Sequence, residues 1–164
     1  RPPRLEKIEE RDPRRDILTL FWRHAETHHR LLVQAHLAKA LNFREETIRK
    51  MPPEKKAELL ASRIGVPEFD QFLEMALMQY HTHEKAAMLG AFLDRWNVPH
   101  ENGSIEADDY TTPNADQVRE AAKALEGEYD RRDIVLYLAT AGLLMDEAWR
   151  EATWPVAEEM AAAS

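Results

Sequence analysis

Residues 26–43, ETHHRLLVQAHLAKALNF, align without a gap on residues 81–98, HTHEKAAMLGAFLDRWNV, at an offset of 55. Thr27/Thr82, His28/His83 and Asn42/Asn97 are identical, while Arg30/Lys85, Val33/Met88 and Leu37/Phe92 keep their character. Upstream, at the same offset, Ile17-Leu18 falls on Phe72-Leu73. Apolar residues recur at intervals of three and four, which is the spacing of one helix face. Asn42 and Asn97 are the expected stops.

A second match extends the pattern. The segment after Pro52 aligns with the segment after Pro113 at an offset of 61, pairing Ala57/Val118, Leu60/Ala121, Ala61/Ala122 and Ile64/Leu125 in apolar character. Phe72 and Ala76 then match Ile134 and Leu138 at an offset of 62. A longer loop at 98–112 takes up the change of offset. The expected organisation is a solvated lead-in over residues 1–12 and a single all-α domain over 13–164. Within the domain the quasi-repeat units are roughly 13–66 and 67–127, with a partial third at 128–164. Amphipathic helices that cannot cover their apolar faces alone bury them by stacking unit on unit.

Local signals mark out the elements. Asp12-Pro13 reads as a helix start, a capping carboxylate before proline at the first helical position. The helix that follows carries Ile17, Leu18, Phe21, Ala25, Leu32 and Ala35 and can reach about Leu41. Further helices are expected near 44–50, 53–64, from 67 to 96 with a continuation or break near Thr82, 113–126 and from 130 through Met145. Gly65 supplies a left-handed terminator, Asn102-Gly103 is a turn signal, and Pro155 is expected to kink or interrupt the last helix. No stretch alternates apolar and polar residues long enough for a convincing strand.

Composition supports the same class. Ala, Leu, Glu, Lys, Arg, Met and Gln make up 93 of 164 residues, the side chains that lose least entropy in a helix, and there are only five glycines. The expectation is an all-α fold of about six to eight helices, a quasi-repeated bundle or short helical-repeat array. A hydrophobic content of 44 % argues against a disordered polyelectrolyte. A net charge of −8 argues against nucleic acid as partner, because that affinity comes from neutralising phosphates. No apolar run approaches the roughly 20 residues of a membrane span, so no membrane partner is expected and the cytoplasm is the default compartment. With no cysteine there is no disulfide framework, thiolate zinc site or cysteine nucleophile.

The histidines carry the only suggestive chemistry. Glu26 and His29 form Glu-x-x-His, the spacing that places a carboxylate and an imidazole together on di-iron bundle helices, and His81 with Glu84 gives the reversed spacing on the matching segment. His28 and His83 each lie eleven residues beyond an apolar anchor, Ile17 and Phe72, so at 100° per residue both point roughly to the core side. A divalent Zn, Fe or Mn site would take His28 and His83 as inward ligands, with Glu26, His29, His81 and Glu84 as neighbours. Against it, the position matching His83 in the third unit is Met145, and the sequence has one forward Glu-x-x-His where a ferritin-type site needs two. Interior imidazoles serving as packing and hydrogen-bonding groups are the simpler reading.

Other motifs are weaker. A calcium loop centred on Gly103 fails, because Val98 and His100 would occupy positions that need oxygen donors. Glu101, Glu106, Asp108 and Asp109 read as a solvated loop, and Trp22, Trp96, Trp149 and Trp154 as core. There is no GxSxG elbow, Walker loop or GxGxxG. The leading expectation is therefore a non-catalytic protein-interaction or regulatory module, without a cofactor, that binds a protein partner or a second copy of itself. The alternative is a His/Glu-ligated metal-dependent helical-bundle enzyme. A sensor with an apolar small-ligand pocket is a further alternative.

Overall fold

The computed structural model describes residues 34–163 apart from positions 36, 40 and 64. The protein is all-α. Helical residues at 34–35, 37–39 and 41 lead to α1 (Glu45–Arg49), α2 (Pro53–Ser62), α3 (Pro67–Gln79), a π-helical turn (Tyr80–Glu84), α4 (Ala86–Arg95), α5 (Ala115–Leu125), α6 (Arg131–Leu144) and α7 (Glu147–Ala163). The expected helix over the stretch before residue 34 lies outside the described residues.

The helix boundaries follow from local chemistry. Proline occupies the first positions of α2 and α3, where its missing N–H would have no helical partner in any case. Asn114 and Gln117 close a reciprocal capping box at α5, with both side-chain-to-backbone bonds at 2.9 Å. Asp130 accepts from the Arg132 N–H to start α6, and Asp146 from the Trp149 N–H to start α7. Asn42 and Asn97, both at φ 55°, close the helices before them. In each case the next residue donates back five positions, Phe43 to the Ala38 carbonyl at 2.8 Å and Val98 to Leu93 at 2.9 Å.

The central helix is α6, whose residues Ile134 to Gly142 are all buried, as befits a helix covered on every side. Among the described residues its most extensive packing is with α7, which also lies on α5. Arg119 on α5 and Glu159 on α7 join these two through paired 2.8 Å contacts. A run of rings crosses the core from Tyr80 through His81, Tyr137, Phe92, Trp96 and Trp149 to Tyr110, with successive centroids 5.1 to 6.1 Å apart. No helix among the described residues is long and apolar enough to cross a membrane.

Two expectations are corrected. The 98–112 loop contains a small antiparallel hairpin, His100–Glu101 against Ser104–Ile105. Asn102 at φ 50° and Gly103 at φ 88° form its two-residue turn, both left-handed as a type I′ hairpin requires. Strands of two residues are too short to show alternation. Pro155, for its part, does not interrupt α7, which runs through it. Pro155 and Glu151, whose carbonyl loses its helical donor, both lie on the exposed side of the helix. The neighbouring Trp154, Val156 and Ala157 are buried and hold the helix against α6 and α5.

Candidate functional site

Helix α3 buries the stripe Phe69, Leu73 and Leu77, which continues into Tyr80 and His81 of the π-helical turn. The chain then leaves the helix at Lys85 (φ −117°, ψ 22°) and restarts as α4. Of the continuation or break expected near Thr82, the chain takes a break, in the form of one widened turn and a single non-helical residue.

His81 is 3 % exposed. Its Nδ1–H donates to the Leu77 carbonyl at 2.9 Å, which leaves Nε2 with the lone pair, buried and without a hydrogen-bond partner. The ring meets the Tyr80 ring edge-on at 5.1 Å and the Tyr137 ring at 5.9 Å. Burial holds the imidazole down to about 4 from the ordinary 6.5; the Leu77 bond opposes this and the Lys85 charge adds to it. Lys85 Nζ pairs with Asp133 Oδ2 of α6 at 3.2 Å and stands 5.8 Å from the centre of the Tyr80 ring. Burial also pushes the Tyr137 hydroxyl well above its usual value.

The inward histidine of this segment is therefore His81, whereas His83 and Glu84 are exposed. The count that aimed His83 at the core used Phe72 as its anchor, and Phe72 lies at the margin of the buried stripe. It also assumed 100° per residue throughout. A π-helical turn closes over more residues, so each residue advances by less. His81 falls back towards Leu73 and Leu77, and His83 rotates away. The structure does not gather His81, His83 and Glu84 around one point, and no group of three or more His, Asp or Glu that could hold a metal occurs among the described residues. Glu26, His28 and His29 lie outside those residues.

His100 has a role that motif reading missed. Its Nδ1 accepts from the Gly103 N–H at 3.0 Å, and its Nε2–H donates to Asp94 Oδ1 at 2.7 Å. The ring ties the hairpin to α4 and rests on Gly90, where an added Cβ would come within 3.1 Å of it. The Asn102-Gly103 pair was the available signal, since an αL-αL turn folds the chain back over His100. Nearby, the Glu101 charge raises the Glu106 carboxyl, so these two exposed acids repel.

The outer face of α3 is the other distinctive feature. Met75 and Met78, three residues apart, are 53 % and 51 % exposed, between exposed Gln71 and Gln79. Comparison with family models, with curated proteins and with solved structures finds no match.

Proposed function

We propose that the protein is a non-catalytic, all-α interaction module whose docking surface centres on the outer face of α3. The observation that carries this reading is the exposure of Met75 and Met78 on one face of that helix. Full burial of a large apolar side chain is worth about 1.5–3 kcal/mol, of which these half-exposed methionines forgo about half, and methionine is the apolar residue best able to adapt to a partner's contour. Helix α3 has the exposed Glu68 and no Lys or Arg, and the whole chain is at −8. A basic protein surface is the complementary partner. The cytoplasm is the compartment this reading takes.

The quasi-repeat belongs to the same proposal, as a scaffold of stacked helical units. It is supported by the helix ends at Asn42 and Asn97, which share φ, the donation from Phe43 or Val98, and burial of Leu37 and Phe92 at the offset of 55.

The test is affinity capture with identification of the partner, followed by titration of the purified pair. Binding should weaken with salt and fall about tenfold or more in the Met75→Glu/Met78→Glu double variant, with helical content and melting unchanged. Sedimentation at rising concentration separates a second copy from a foreign partner. A partner-free monomer that turns over members of a small-molecule panel overturns the reading.

A further inference from the structure

The π-helical turn and the histidine inside it are arranged as a device. A π turn holds one more residue than the α turn it replaces and can revert by shifting register. This one ends at Lys85, a single non-helical residue before α4, so a local change there need not disrupt the helices on either side.

His81 occupies this joint with Nδ1 committed to Leu77 and Nε2 facing no acceptor. Among the described residues, the titratable and charged groups around it are Tyr80 from the turn itself, Lys85 at the joint, and Tyr137 and Asp133 from α6. Lys85 repels a second cation, and Asp133 is engaged by Lys85. The two tyrosine rings supply no carboxylate. A proton added at Nε2 would create a buried cation whose new N–H meets no acceptor among the described residues, a state that is unfavourable unless the ring reaches water.

We propose that the Tyr80–Glu84 turn is a proton-operated latch: protonation of His81 at Nε2 expels its ring from between Tyr80 and Tyr137 and opens the α3–α4 joint, while the packed α5, α6 and α7 stay folded. Neutral imidazole closes the latch and imidazolium releases it. The signal is a fall in pH, and the element that responds is the joint that follows the exposed face of α3.

Hydrogen exchange read by mass spectrometry, corrected for the intrinsic pH dependence of exchange, tests this on the whole chain. In the wild type the opening of the peptide spanning the turn should rise about tenfold for each pH unit between 6.5 and about 4, with protection in α6 and α7 unchanged. In His81→Phe it should stay flat over the same range. No rise in the wild type, an equal rise in His81→Phe, or a rise spread evenly over all helices overturns the proposal. Nitrogen-15 shifts of the His81 ring give a check that needs no variant. The ring should be the Nδ1–H tautomer at neutral pH and take its charge only as the turn amides lose protection; a charged ring beneath still-protected amides overturns the latch.

Discussion

Gly142 of α6 packs directly against Thr153 and Trp154 of α7. A Cβ built there would collide with Trp154 Nε1 and stand 2.8 Å from Thr153 Oγ1, and the Gly142 carbonyl accepts from Arg150 Nε at 3.0 Å. Helix propensity alone favours alanine over glycine by about 1 kcal/mol. Here the steric term outweighs it, because both neighbours are rigid and buried. Gly142→Ala is expected to lose about 3 kcal/mol, seen as a lower urea midpoint at unchanged slope. A gain in midpoint would mean that the two helices are looser than this contact implies.

Two helices carry a price or a device that can be read from single positions. Pro155 lacks the N–H that would meet the Glu151 carbonyl, yet packing of Trp154, Val156 and Ala157 keeps α7 whole. Replacing it should recover part of the roughly 3 kcal/mol that an interior proline costs. Pro155→Ala is therefore expected to raise the melting temperature, by an amount equivalent to about 1–3 kcal/mol. At the end of α4, Asn97 holds a φ of 55° that glycine adopts without strain and alanine does not. Asn97→Gly should be neutral or slightly stabilising, while Asn97→Ala should cost about 1 kcal/mol. Chemical denaturation of the pair checks both signs.

For the whole molecule, the burial of His81 becomes a dependence of stability on pH. Above pH 6.5 the ring is neutral whether the chain is folded or unfolded, and stability is at its full value. Between 6.5 and about 4 the unfolded chain binds a proton that the folded protein excludes, so stability falls as the pH falls. Below about 4 the loss is complete, at roughly 3 kcal/mol from 1.36 kcal/mol per unit. Glu159 adds to the decline only lower down, because the Arg119 bond holds its carboxyl below the usual range. Urea midpoints from pH 8 to 4 should decline in the wild type and be flat above about pH 5 in His81→Leu. Parallel declines in the two would assign the loss to other groups.

Spacing and end signals in the chain determined the fold class and most boundaries. Those are local properties: Asn97 stops α4, Asp130 starts α6 and Pro67 opens α3 whatever else they touch. They also placed a turn at Asn102-Gly103, although the strands beside it need partners three and five residues away to exist at all. The site was legible only as a histidine-bearing segment. Which imidazole turns inward was decided by the π-helical turn, because angular counting holds only while the helix keeps one pitch. The continuity of α7 through Pro155 and the close approach at Gly142 were likewise decided in three dimensions. Each depends on a neighbouring helix whose distance is set by packing of the assembled core, and local sequence contains no record of that distance.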